Sequence, residues 1–117
     1  MKVRGLTWVG TRTARFVEMV SFAEDVLGLE RAFEREGVVG YKLADGAFFE
    51  IFAPGVAGGG HPAEGVAAGF TVDDLAAARA ELEAAGLEVG ERHASGGVAW
   101  FYFRAPDGNL YELIGSG

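Results

Sequence analysis

The chain has no cysteine and only two histidines among its 117 residues. The missing thiols exclude disulfide bonds, thiolate metal sites and cysteine nucleophiles. Basic residues are also few, since ten lysines and arginines stand against seventeen aspartates and glutamates, for a formal net charge of −7. This balance argues against nucleic acid or an anionic membrane surface as a partner, because both are bound through basic patches.

Long apolar runs are missing as well. No segment approaches the roughly 18 apolar residues of a membrane-spanning helix. The first residues, Met1 to Leu6, lack the apolar stretch that is typical of a secretory signal. Half of the residues are nevertheless apolar, which is too many for a disordered chain. We therefore expect one compact cytoplasmic domain that contacts neither membrane nor nucleic acid.

What the chain does contain is an internal repeat. In the first half, the sequence LGLE at 27–30 precedes an Asp-Gly turn at 45–46, and Glu50 follows four residues after Gly46. In the second half, AGLE at 85–88 precedes an Asp-Gly turn at 107–108, and Glu112 follows four residues after Gly108. A fixed period of about 60 residues indicates two copies of one supersecondary unit.

Each copy has the hydrophobic spacing of a βαβββ unit, which predicts an α+β fold. In the first copy we predict a helix over 16–27 and strands over 6–11, 29–36, 38–43 and 48–52. In the second copy we predict a helix over 75–85 and strands over 66–72, 87–93, 98–104 and 110–114. The predicted helix caps are Thr13, Asp73 and Asp74, and the predicted helix ends are Gly28 and Gly86.

The segment 55–65 is rich in glycine and predicts a linker. The predicted organisation is therefore a first module over 1–54, the linker over 55–65 and a second module over 66–117, all within one compact domain.

Two segments resemble motifs of the vicinal oxygen chelate superfamily, the group of glyoxalase I, bleomycin-resistance proteins and extradiol dioxygenases. FAEDVLGL at 22–29 is similar to the helix-end motif of that family, and APDGNLYEL at 105–113 is similar to its closing turn and strand. The resemblance implies two βαβββ modules in tandem whose mixed sheets curl around a central cleft, commonly in a homodimer.

The resemblance also implies where a metal would bind. Metal-using members hold a divalent ion with His or Gln on the first strand of each module and Glu on the last. The matching positions in this chain are Trp8, Glu50, Ala67 and Glu112. An indole only donates and a methyl group offers nothing, so two of the four ligands are missing and we expect no resident cofactor. A divalent metal on Glu50 and Glu112 is the alternative, because Mg, Ca and Mn accept oxygen ligands completed by water.

The two histidines, His61 and His93, lie outside the ligand registers. We interpret each as a solvated or locally hydrogen-bonded imidazole.

Strand alternation and the family register predict an aromatic cleft. Its predicted ligand-binding residues are Trp8, Arg12, Phe48, Phe52, Trp100, Tyr102 and Arg104, beside Glu50 and Glu112 as candidate catalytic residues. Such a cleft suits a flat, partly apolar molecule held by stacking. The competing interpretation is a filled core, with each glutamate paired to an arginine such as Arg12 or Arg104.

Three functions follow from these patterns. The leading hypothesis is a protein that binds a small, partly aromatic or apolar molecule in the cleft between the modules without the usual metal. The alternative is a divalent-metal-dependent lyase, isomerase or dioxygenase in which Glu50 and Glu112 hold the ion and one of them moves a proton. The third is a structural or regulatory dimer without a ligand.

Overall fold

The computed structural model describes residues 1–55 and 65–116, which form an α+β fold with a mixed sheet, as predicted. The first repeat contains β1 (Val3–Arg12), α1 (Phe16–Ser21), a π-helical turn (Phe22–Val26), β2 (Arg31–Arg35), β3 (Val38–Lys42) and β4 (Phe48–Phe52). The second contains β5 (Gly65–Val72), α2 (Leu75–Ala84), β6 (Glu88–Val89), β7 (His93–Ser95), β8 (Val98–Arg104) and β9 (Leu110–Ser116). No helix within the described ranges is long and apolar enough to cross a membrane.

The chain divides into two compact units. The Glu50 unit is Trp8–Val66, and the Glu112 unit combines Met1–Thr7 with Ala67–Gly117. Strand β1 therefore contributes its first residues to one unit and its last residues to the other. Most of the predicted linker, with His61, lies outside the described residues.

In the Glu50 unit the strand order is β2-β3-β4-β1, with β1 and β4 parallel and the other neighbours antiparallel. The helical segment covers one face of this sheet. Its core consists of Ala23, Val39, Tyr41 and Ile51, with Phe16, Met19, Val20, Leu29 and Phe49 packed against them. Because neighbouring strand residues point to opposite faces, Glu50 lies on the face away from the helix.

The predicted helix over 16–27 forms in two parts. After α1 the turn widens, and the Leu27 amide bonds the Phe22 carbonyl at 3.0 Å, five residues back. From this turn, the Glu24 carboxylate accepts hydrogen bonds from the Tyr41 hydroxyl at 2.8 Å and from Arg31 Nε at 2.5 Å. These bonds attach the wide turn to the sheet.

The start of this helical segment differs from the prediction, and its end agrees with it. The prediction of Thr13 as the N-cap is wrong, because Arg15 is the N-cap residue and the Thr13 hydroxyl accepts the Arg15 amide, at 3.0 Å. Gly28 takes a φ of +70° at the end, as predicted.

In the Glu112 unit the strand order is β5-β9-β8-β6, and β7 pairs with β8. Helix α2 covers one face, over a core of Val72, Leu75, Ala78, Leu82, Ala99, Phe101 and Leu113. Asp74 caps α2 as predicted, since its Oδ1 accepts the Ala77 amide at 3.0 Å. Leu113 faces this core, so Glu112 points to the opposite face of the sheet.

The prediction of one strand over 87–93 is wrong, because only the short β6 lies within it and β7 begins at its last residue, His93. Gly90 lies at the break, where its amide donates to the Tyr102 carbonyl at 2.7 Å. A Cβ at Gly90 would lie 3.2 Å from that same oxygen. The chain therefore approaches β8 closely at Gly90 and then leaves the regular pairing pattern before β7.

Candidate ligand-binding faces

Glu50 lies between two glycines of the neighbouring strands. In register, Gly10 of β1 is its partner on one side and Gly40 of β3 on the other. An aromatic ring fills the space above each glycine: Trp8 over Gly10 and Phe33 over Gly40, so that a Cβ at either position would overlap the ring. The carboxyl group of Glu50 therefore lies between the flat apolar surfaces of the Trp8 and Phe33 rings.

The sequence positions these two rings in different ways. Trp8 precedes Gly10 by two residues, so both belong to the same face of β1, and Trp8 is 7% exposed. Phe33 belongs to β2 and is the direct register partner of Gly40. Phe52 borders the Trp8 ring, with 6.5 Å between the ring centroids.

These neighbours change the pKa of the Glu50 carboxyl group. Burial raises the pKa of its carboxyl group, while a hydrogen bond from the Trp8 indole and the positive charge of Arg35 act in the lowering direction. The net effect is a raised pKa, because the loss of solvation dominates. Glu50 thus holds its proton to a higher pH than an exposed glutamate does.

The same face carries three further residues of the predicted site. Arg12 is buried, its Nη1 donates to the Ala53 carbonyl at 2.9 Å, and its guanidinium carbon lies 5.6 Å from the Phe52 ring centroid. Phe48 is half-buried and is the register partner of Trp8. The structure therefore brings Trp8, Arg12, Phe48, Glu50 and Phe52 onto one face of one sheet.

Sequence reasoning missed three residues of this face. Phe33 covers Gly40, the guanidinium of Arg35 lies 5.8 Å from the Phe33 ring centroid, and Lys42 pairs in register with Phe48. The cross-strand pairing of β2, β3 and β4 is the signal that places these residues on the same face as Glu50. We call this set the Glu50 face: Trp8, Arg12, Phe33, Arg35, Lys42, Phe48, Glu50 and Phe52.

Glu112 occupies a related position in its own unit. It is 4% exposed and pairs in register with Gly69 of β5 and Tyr102 of β8. A Cβ at Gly69 would lie 2.9 Å from Glu112 Oε1, so here the glutamate itself fills the space above the glycine. Ala67 precedes Gly69 as Trp8 precedes Gly10, and it supplies only a methyl group.

The remaining predicted site residues, Trp100, Tyr102 and Arg104, lie on strand β8. Trp100 is half-buried and stacks with His93, with 5.8 Å between centroids and 26° between ring planes. Tyr102 is buried beside Glu112. Arg104 is exposed, where its Nη1 donates to the Gly108 carbonyl at 2.6 Å and its Nε lies 3.7 Å from Glu88. Arg104 thus supports the closing turn of the repeat.

Neither unit by itself offers the donor set that a Zn, Ni or Fe site needs. At the first-strand position, Trp8 presents an N–H that already donates to Glu50, and Ala67 has no donor atom. Within residues 1–55 and 65–116, no group of three or more His, Asp or Glu side chains is arranged to hold a metal ion. A single carboxylate with an indole or a methyl group beside it is a poor site for Zn, Ni or Fe.

One protein family matches nearly the whole chain. The family described as "Glyoxalase/Bleomycin resistance protein/Dioxygenase superfamily" matches residues 5–113. No curated protein sequence matches the chain.

Several solved structures share the fold. A glyoxalase/bleomycin resistance protein/dioxygenase superfamily member from Vibrio splendidus 12B01 is 20% identical, with a TM-score of 0.71, over 98% of this chain and 100% of that one. A variant of methylmalonyl-CoA epimerase from Streptomyces coelicolor, in complex with 2-nitronate-propionyl-CoA, is 21% identical, with a TM-score of 0.69, over 99% of each chain. The Mn(II)-bound glyoxalase from Novosphingobium aromaticivorans is 24% identical, with a TM-score of 0.76, over 97% of this chain and 39% of that one.

At such low identities these likenesses show the fold alone. The family match is broader, because it includes both segments whose motifs suggested the resemblance. The protein belongs to the glyoxalase/bleomycin resistance protein/dioxygenase superfamily.

Proposed function

We propose that this protein binds a small, partly aromatic molecule against the Glu50 face, without the divalent ion of its metal-using relatives. The observation that carries the proposal is the position of Glu50 between two glycines, each covered by an aromatic ring. A polar group among flat apolar surfaces is the usual composition of a small-molecule site.

The rings supply the affinity in this proposal. Phe33 and Phe48 are both half-buried, so each has surface left for a flat partner. Covering apolar surface contributes about 25 cal/mol per Å², and a favourable aromatic pair adds about 0.5–1.5 kcal/mol. Ring contacts alone do not fix how the molecule lies.

Glu50 supplies the orientation. Its carboxyl group already receives the Trp8 indole N–H, and a carboxylate has further lone pairs for a donor on the ligand. No bond is made or broken in this proposal. The epimerase from Streptomyces coelicolor, solved with 2-nitronate-propionyl-CoA, supports small-molecule binding by the shared fold.

A thermal-shift screen of aromatic metabolites and drug-like compounds tests the proposal, since a ligand that binds the native state raises the melting temperature by mass action. We expect the stabilising compounds to lose their effect in Phe48→Ala. Phe22→Ala is the matched control, because Phe22 lies in the same unit, is 43% exposed and belongs to the helical segment. The proposal fails if no compound stabilises the protein or if Phe48→Ala retains the shifts.

The metal-dependent alternative has its own test. Metal analysis of protein purified without chelator would overturn our proposal if it found stoichiometric Ni, Zn, Fe or Mn that disappears in the Glu50→Ala, Glu112→Ala double variant.

A further inference from the structure

Charge is distributed unevenly over the Glu50 unit. Residues 8–55 contain five basic and eight acidic side chains. Three of the basic residues, Arg12, Arg35 and Lys42, stand at positions of the Glu50 face, together with one acidic residue, Glu50 itself. Basic side chains therefore outnumber acidic ones on this face, although the protein as a whole has a net charge of −7.

The other seven acidic residues of 8–55 do not lie on the Glu50 face. Glu34 is on the opposite face of β2, where it pairs with Arg31 at 2.9 Å. The rest belong to the helical segment or to the connections between elements: Glu18, Glu24, Asp25, Glu30, Glu36 and Asp45. The basic character of the Glu50 face is therefore produced by strand alternation and not by local composition.

Two of these cations are accessible and form no close ion pair. Arg35 and Lys42 are exposed, and within the described ranges neither has a carboxylate oxygen within 4.0 Å. Other arginines do have one at that distance: Arg4, Arg15, Arg31, Arg79 and Arg104. The guanidinium of Arg35 is positioned by its contact with the Phe33 ring at 5.8 Å.

We infer that the ligand of the Glu50 face is a flat anion, an aromatic ring that carries a carboxylate. This inference rests on the binding function proposed above and specifies its chemical class. The ring would stack against Phe33 and Phe48, and the carboxylate would lie near Arg35, beside the Phe33 ring. Lys42 stands at the other end of the β2–β3 pair and would add positive charge over a longer distance. Elsewhere the net negative charge of the protein disfavours such a molecule, so the charge pattern supplies selectivity as well as attraction.

Glu50 does not oppose this assignment. The positive charge of Arg35 acts on the Glu50 carboxyl group and reduces the repulsion that an approaching carboxylate would meet. A hydroxyl group on the ligand ring could alternatively donate to the ionised form.

Three compounds with the same flat skeleton and different charge test the inference: cinnamate, cinnamyl alcohol and cinnamylamine. Their dissociation constants are measured by isothermal titration calorimetry at neutral pH. We expect cinnamate to bind most tightly. In the Arg35→Gln, Lys42→Gln double variant, cinnamate should bind roughly two- to thirtyfold more weakly, because two exposed charge pairs are lost, while the alcohol should bind unchanged.

The Arg4→Gln, Arg15→Gln double variant is the matched control. It removes the same net charge from exposed positions outside the Glu50 face and should bind cinnamate like the unaltered protein. Equal weakening in both double variants would overturn the inference, because net charge and not the face would then be responsible. Tightest binding by the alcohol or the amine would overturn the anionic assignment and leave the binding function standing. If none of the three binds at millimolar concentration, the inference is overturned, and the thermal-shift screen decides separately whether the proposed binding function stands.

Discussion

The indole ring of Trp8 lies directly over the backbone of Gly10, two residues further along the same strand. A Cβ at Gly10 would overlap carbons of that ring and would lie 3.2 Å from Phe52 Cε2. With the ring in this position, the indole N–H donates to Glu50. A missing side chain at one position thus determines the orientation of the group that borders the carboxylate.

Replacing this glycine should therefore disturb the site. We expect Gly10→Ala to displace the Trp8 ring and to lower the free energy of unfolding by about 1–3 kcal/mol, as overpacking of a closely packed position does. Denaturant unfolding measures the change. Gly5→Ala is the control on the same strand, because its Cβ would meet only Thr7 Cγ2 at 3.7 Å, and we expect a change within about 0.5 kcal/mol. Equal losses in the two variants would contradict the role assigned to Gly10.

The acidity of Glu50 predicts a pH dependence of stability. Burial raises its pKa above the ordinary 4.5, so the folded protein binds this proton more tightly than the unfolded chain does. The stabilisation is full below the unfolded pKa and is lost as the pH rises through the folded pKa. In Glu50→Gln, which keeps an oxygen for the Trp8 indole, this loss is absent.

The stability of Glu50→Gln relative to the unaltered protein should therefore increase from pH 4.5 upwards and become constant above the folded pKa. Urea unfolding at a series of pH values measures the difference. A difference that stays constant with pH, or that shrinks as the pH rises, would contradict the raised pKa.

The cap of α2 gives a prediction that concerns stability alone. Asp74 Oδ1 accepts the Ala77 amide at 3.0 Å, and Asp74→Ala should cost about 1 kcal/mol of unfolding free energy because that amide loses its partner. Asp74→Asn should retain most of the stability, since asparagine caps helices about as well as aspartate. Thermal unfolding compares the stability of the two variants. A similar loss of stability in both would show that the charge of Asp74, and not its cap hydrogen bond, is responsible.

A metal site can be tested by restoring a donor. Trp8→His places an imidazole lone pair beside Glu50, and we expect it to raise the affinity for Zn²⁺ or Ni²⁺ above that of the unaltered protein. Trp8→Phe is the control, because it also removes the indole but supplies no lone pair. Calorimetric titration with each metal compares them. Equal affinities in the two variants would show that Trp8 does not stand at a ligand position.

Much of the fold could be predicted from the sequence, because the responsible interactions are local. The Asp-Gly turns, the helix-ending glycines at 28 and 86 and the alternation along β4 each depend on residues close together in the chain. The π-helical turn at Phe22–Val26 could not be predicted, since the same apolar spacing fits an ordinary α-helix. Its stabilising bonds come from Tyr41 and Arg31, which lie on later strands.

The candidate face was predicted only in part, for a similar reason. The placement of Phe48, Glu50 and Phe52 on one face follows from alternation within a single strand. Phe33 and Arg35 join them through the register of β2 against β3, and that pairing depends on which residues meet across the turn at Gly37. Single-strand patterns do not contain that information.

The division of β1 between the two units has a consequence for synthesis on the ribosome. Residues 8–12 find their parallel partner when β4 has emerged, so the Glu50 unit can complete its sheet while translation continues. Residues 3–7 find theirs later, because Thr7 hydrogen-bonds to Thr71 and Arg4 to Asp73, both of which belong to the second repeat. The two ends of one strand therefore gain their neighbours at different times, the C-terminal end first and the N-terminal end only after the second repeat has begun to emerge.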